Sequence, residues 1–318
     1  MAKLRDNFTR KETLVGIAAC VVGNLLWGFS YLFTSVAQRS AIPSVQLSIR
    51  FIIAFVLLNI LIFGFKRDQF NLKGKKIGPL ILLGASLEIY YILESTGIYY
   101  TNSSFTSLAM SVVPVLSIIA AAILLKEYPT KKQIFFSIFP VAGVIIITLA
   151  NSAMGAVQAI GVVIIALACL ASCSNQVISR QVAQSYTPFE RTYFILLICS
   201  AGTLATALVE TKGDLQPFVY ALSQPSFLFC TLALSICCSI GSSLLVNFAS
   251  ERLTVIKLTA IGTLPTPVAT LVGILLLHEP VNTVSLIGVV ITLFGIWKVS
   301  MASMSKPAEE LPAQADNE

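Results

Sequence analysis

Two glutamates, an arginine and several aromatic side chains stand where a water-soluble chain would not put them. Glu88 and Glu94 lie in one apolar run, Ile77–Tyr99, and Arg50 lies in another, Val45–Phe65. A charge at mid-span costs about 2.5–3.5 kcal/mol on insertion scales, which makes each a candidate functional position. Glu88 is the twelfth residue of its run, close to the bilayer midplane at about 1.5 Å of rise per residue. No basic partner for it is evident in the sequence, so its charge must be met by a proton or a cationic substrate. Glu88 is therefore the leading candidate for solute binding and proton coupling, against a neutral carboxyl hydrogen-bonded between helices. Glu94 lies nearer the outer end of the same run, and Arg50 reaches a similar depth, so the two are expected to form an ion pair or gate. Tyr91 is three residues from both glutamates, an arrangement read as one side of the helix. With Trp27 and Tyr31 it would frame a carboxylate in aromatic rings, a combination that attracts organic cations, unless these rings belong to the interfacial belt. Asn24, Asn175 and Gln176 either line a wet cavity or cross-link helices. Pro114, Pro265 and Pro267 interrupt helical bonding and are hinge candidates.

The elements that must position these residues follow from composition. Of 318 residues, 56% are hydrophobic and only 11% charged, with a mean hydropathy of +0.85. A soluble domain carries about 25% charged residues, so a cytosolic enzyme, a nucleic-acid reader and a disordered scaffold are all excluded. The class is all-α polytopic membrane protein, with the lipid bilayer as its first partner. A span needs about 20 largely apolar residues, and ten such runs can be read: Leu14–Gln38, Val45–Phe65, Ile77–Tyr99, Phe105–Leu125, Gln133–Ala150, Ala159–Val182, Phe189–Glu210, Pro225–Asn247, Val255–Leu277 and Val284–Met301. The first is too long for a signal h-region and reads as an uncleaved span. With the N-terminus inside, 18 of the 21 Lys and Arg fall in cytoplasmic segments, so both termini are expected to be cytoplasmic in a multi-pass cytoplasmic (inner) membrane protein. Residues 1–13 form a cytoplasmic N-terminal segment, and 303–318 form an acidic cytoplasmic tail expected to be disordered. Seven cysteines lie in apolar runs and the single histidine is His278, so neither a disulfide framework nor a metal site is expected.

The chain also repeats itself. An offset of 145 places Gly16 on Gly161 and Pro43 on Pro188; an offset of 152 places Leu124-Leu125 on Leu276-Leu277, Glu127 on Glu279 and Gly143 on Gly295. The halves are 14–150 and 159–302, each with five helices. An odd number per half requires the copies to lie upside down relative to each other, the inverted-repeat plan of many secondary transporters, with the substrate site between the repeats.

These features resemble the drug/metabolite transporter superfamily, specifically ten-helix proteins with two EamA domains. The resemblance rests on Leu26-Trp27-Gly28-Phe29-Ser30, on Pro43 with Arg50-Phe51, on Pro114 with Leu124-Leu125-Lys126-Glu127, and on Pro265/Pro267 with Leu276-Leu277-His278-Glu279-Pro280. It covers about residues 14–300. It implies alternating-access transport of a small organic solute through a central cavity, and a basic residue is common at the Arg50 position. Two glutamates in the third helix depart from the typical pattern. The leading expectation is a secondary active transporter of a small organic metabolite, an amino acid or related amine, with proton coupling left open. The alternatives are uptake of an organic cation or quaternary amine, and a non-transporting assembly or regulatory partner. No cofactor, no nucleic acid and no enzymatic activity are expected, because the chain has neither a nucleophile–base pair nor a Walker A sequence.

Overall fold

In hydrocarbon every backbone N–H and C=O must be bonded within the protein, so an apolar chain of this length crosses as helices. A computed structural model describes residues 10–65, 70–72, 74–113, 115–116, 131–153, 158–182, 185–253, 261–279 and 283–304, and no strand occurs among them. The first half contains α1 (Arg10–Ala37), α2 (Pro43–Phe65), α3 (Gly78–Tyr100), α4 (Ser103–Met110) and α5 (Lys131–Ala153). The second contains α6 (Ala159–Val182), α7 (Pro188–Glu210), a short α8 (Gln216–Leu222) and α9 (Pro225–Ala233). A π-helical segment (Leu234–Gly241) then leads into α10 (Ser242–Arg252), α11 (Pro265–Leu276) and α12 (Thr283–Met304). Five stretches meet the length and apolarity of a full span and four shorter apolar helices accompany them. The fold is that of an all-α polytopic membrane protein built from two inverted five-helix repeats.

Local chemistry sets the helix starts. Pro188 opens α7 behind Thr187, whose hydroxyl accepts from the Glu190 N–H while the Glu190 carboxylate accepts from the Thr187 N–H. Pro43 likewise stands first in α2, at the position that the offset of 145 matches to Pro188, but without a capping box. Asn102 caps α4 by accepting from the Phe105 N–H at 2.7 Å. Glu190 is sealed from solvent and bonds both Lys75, at 2.7 Å, and the Asn71 N–H. The connection between α7 and α9 contains α8. The turn ahead of it places Lys212 (φ 54°) and Gly213 (φ 78°) in the left-handed region.

Packing joins the halves more than it holds either one together. The heaviest helix contacts are α5 with α12, α3 with α6, α2 with α7, α1 with α10, α3 with α7, α1 with α11 and α4 with α11, all of them between halves. Exchanging first-half for second-half helices maps five of these seven pairs onto members of the set, the behaviour of a pseudo-two-fold axis, while α3 with α7 and α1 with α11 have only weaker counterparts. Small residues allow the approach: a Cβ on Gly143 of α5 would meet Thr292 and the Gly288 carbonyl of α12. Large apolar side chains such as Phe65, Leu149 and Val209 face outward. Gln38, Gln46, Ser48 and Arg50 are buried. That distribution suits a lipid-bathed exterior.

The expected tail, 303–318, lies outside the described residues from 305 onward, and α12 continues to Met304. Residues 1–9 of the expected N-terminal segment also lie outside them, and α1 starts at Arg10.

Candidate functional site: a cavity between the halves

A cavity of about 430 Å³ lies between the halves, lined by α1, α2, α3, α6, α7, α10 and the breaks in both fourth helices. In the first half, helical geometry loosens after α4 at Ser111 and Val112. In the second, Gly262–Leu264 form a turn before Pro265 starts α11. At the offset of 152, Ser111 falls on Thr263 and Val113 on Pro265, and all four line the cavity. The predicted discontinuity is thus present in both halves, with a different form. Pro265 and Pro267 occupy the first turn of α11, where a missing N–H costs nothing, and they open a helix instead of kinking one. Pro114 lies outside the described residues.

Glu94 is the carboxylate of this cavity. Its Oε1 accepts from the Tyr31 hydroxyl at 2.8 Å and from the Tyr90 hydroxyl. Among the described residues no partner bonds Oε2. Arg50, only 5% exposed, donates from Nε to Ser239 Oγ at 3.0 Å and lies 5.3 and 5.4 Å from the ring centroids of Phe51 and Tyr91. The expected Arg50–Glu94 ion pair is not formed. The two charges line one cavity without touching, because tyrosine hydroxyls hold Glu94 and a serine holds Arg50. A charged hydrogen bond contributes about 1.5–3 kcal/mol and each ring face roughly 0.5–2 kcal/mol. These offset the burial of Arg50 but leave its terminal nitrogens without an acceptor among the described residues.

Glu88 is placed otherwise than the sequence led us to expect. It does not line the cavity. Its carboxylate is half-buried against α7, where it fills the space a Cβ on Gly202 would need. Six residues advance a helix by about 600°, leaving Glu88 and Glu94 some 120° apart. Tyr91 lies midway, so the three do not share one face. Asn24 also turns away: buried in α1, it donates to the Cys20 carbonyl at 2.8 Å. Trp27 and Tyr31 do line the cavity, Trp27 donating from its indole N–H to the Cys238 carbonyl at 3.1 Å. Asn175 lines it and donates to Ser86 Oγ at 2.9 Å. The Gln176 side chain lies outside the described residues.

The π segment was not legible in the sequence. One extra residue in the turn directs Ser239 at Arg50, lets Ser235 Oγ donate to the Arg50 carbonyl at 2.8 Å, and presents the Cys238 carbonyl to Trp27. Such segments recur at functional sites. Its SICCSIGSS composition offered a signal only as small, polar residues in a span.

The cavity extends toward the end where α3 and α7 begin, reaching Ser179 and Arg191. At the opposite end two sets of hydrogen bonds join the helices. There Gln38 donates to the Ser95 carbonyl and hydroxyl, each at 2.8 Å. Glu279 accepts from Ser103 N, Ser103 Oγ and Ser104 N at 2.7–2.9 Å, tying the end of α11 to the start of α4.

A two-sided helical bundle with a polar cavity between inverted repeats is the architecture of a membrane transporter. The chain belongs to the EamA-like transporter family, whose model matches residues 14–149 and 159–301. It is similar to the uncharacterized transporter YcxC of Bacillus subtilis, at 27% identity over 87% of this chain and 90% of that protein. It is also similar to an uncharacterized transporter of Archaeoglobus fulgidus, at 23% identity over 60% of this chain and 67% of that protein. A solved crystal structure shares the fold with a TM-score of 0.62 at 17% identity, covering 93% of this chain and 99% of that one.

Proposed function

We propose that this transporter is a secondary carrier of a small organic metabolite, an amino acid or related amine, moved through the inter-repeat cavity by alternating access. The observation carrying the reading is Glu94. One oxygen is fixed by two tyrosines, and the other is left for a ligand ammonium in a chamber lined by Trp27, Tyr31, Tyr90 and Tyr91. The same carboxylate among rings also favours the second reading, uptake of an organic cation. The basic residues Lys75, Lys76, Lys131, Lys132 and Arg191 support cytoplasmic termini in the cytoplasmic membrane. With that orientation the cavity is inward-facing, and the Gln38 and Glu279 contacts close the outside. Proton coupling, through Glu88 or Glu94, belongs to the same proposal.

Counterflow in proteoliposomes, with a panel of labelled amino acids and amines, tests it. Exchange of at least one solute, accelerated by an imposed proton gradient if the carrier is coupled, is the expected result. Folded protein that exchanges none of them would point to a non-transporting assembly or regulatory role.

A further inference from the structure

We infer that Arg50 is the carboxylate-binding group of this cavity and that the transported solute is a zwitterionic amino acid, bound with its carboxylate at Arg50 and its ammonium at Glu94. The inference rests on the transport reading above and narrows it, because an amine alone would leave Arg50 unanswered.

Arg50 lies in the first half of α2, yet among the described residues no carboxylate pairs with it. Its contacts are the Ser239 hydroxyl and the faces of Phe51 and Tyr91. Among the described residues only Nε is bonded. The two terminal nitrogens make no hydrogen bond to any described residue, and they are not among the buried side-chain atoms that lack a partner. Since Arg50 lines the cavity, their remaining exposure is to it. A guanidinium presents parallel donors suited to a carboxylate, and such a bidentate pair is among the strongest hydrogen-bonded contacts available. Burying a guanidinium while leaving this fork empty is costly. The cost is met when a ligand brings the acceptor.

The surroundings fix the direction of the fork. Ser239 reaches Arg50 because the π segment shifts the helical register there, and Ser235 of the same segment bonds the Arg50 carbonyl. Backbone and side chain are thus both held by one irregular element, as expected of a preorganised binding group.

Glu94 supplies the opposite charge. Arg50 lies 5.4 Å from the Tyr91 ring, whose centroid is 5.1 Å from that of Tyr90, and Tyr90 bonds Glu94. The cation and the carboxylate therefore flank one tyrosine pair, each with bonding capacity left over. Two opposite charges that face one chamber, each anchored by neutral groups instead of by the other, are complementary to a ligand carrying both charges. An organic cation would satisfy Glu94 and leave Arg50 unpaired.

The test compares ligands in the wild-type protein before any substitution is made. Amino acids that exchange in counterflow, with phenylalanine and leucine as the first probes, are set beside the amines lacking the carboxyl group, phenethylamine and 3-methylbutylamine, and beside the amino-acid methyl esters. Amines and esters are expected to need at least tenfold higher concentrations for half-displacement of the labelled amino acid. Arg50→Gln is expected to bring the amino acid down to the affinity of its amine while leaving the amine unchanged, and Arg50→Lys to fall between. Amines or esters that compete as well as amino acids in wild-type protein overturn the assignment. So does Arg50→Gln weakening both ligands equally. Exchange of amines without exchange of any amino acid overturns it too, while the transport reading survives. If neither class exchanges, the transport reading itself falls.

Discussion

Two carboxylates on α3, six residues apart, occupy different environments. Glu94 faces a chamber between the halves, with two phenol hydroxyls on one oxygen and no described residue bonded to the other. Glu88 faces α7, where the missing side chain of Gly202 leaves room for its carboxyl group. Depth in the membrane would favour Glu88. Direction around the helix favours Glu94, and a side chain reaches a ligand only if it points at one. The comparison teaches that cost of burial identifies an unusual residue but not its role.

The largest effect is expected at Glu94. Glu94→Gln keeps the volume but removes the charge that a ligand ammonium would meet, and loss of a charged hydrogen bond corresponds to roughly ten- to a hundredfold weaker binding. Equilibrium binding of a labelled solute that exchanges in wild-type protein is the readout. Unchanged affinity would move the site away from Glu94.

A smaller effect, on stability, is expected on the other face. Gly202→Ala places a methyl group where the Glu88 carboxylate packs. Because that carboxylate is the far end of a flexible side chain that can swing aside, the cost is expected to stay near the low end of overpacking, about 1 kcal/mol. Glu88→Ala should restore the loss in the double variant, since it removes the other side of the clash. Thermal unfolding in detergent measures both, and a penalty that persists without Glu88 would show that something else fills the space. The smallest effect is expected from Glu88→Gln alone: solute affinity within about twofold of wild type, because the residue lies outside the cavity. A loss matching that of Glu94→Gln would reverse the comparison and return Glu88 to the transport path.

The composition and the spacing of apolar runs were enough to determine the helical class and the two halves, because lipid admits few alternatives for a backbone. α6, at Ala159–Val182, has the bounds read from sequence, and α2, α3 and α7 differ by one or two residues. Pro43 and Pro188 were legible because a helix start has its own chemistry. The broken fourth helices were partly legible. Proline announces a discontinuity, but whether the chain kinks or restarts depends on the turn before it.

Side-chain direction was not legible. A helix that faces lipid on one side and apolar neighbours on the other is hydrophobic all round, so its sequence lacks the periodicity that tells inside from outside in a soluble protein. Asn24 bonds its own helix, Arg50 bonds a serine from the other half, and Glu88 and Glu94 separate because α3 packs against both α6 and α7. The sequence alone determined an all-helical, twice-repeated membrane bundle with charges inside it. Only the tertiary structure, through contacts between halves and one π-helical turn, decided which of those charges share a cavity.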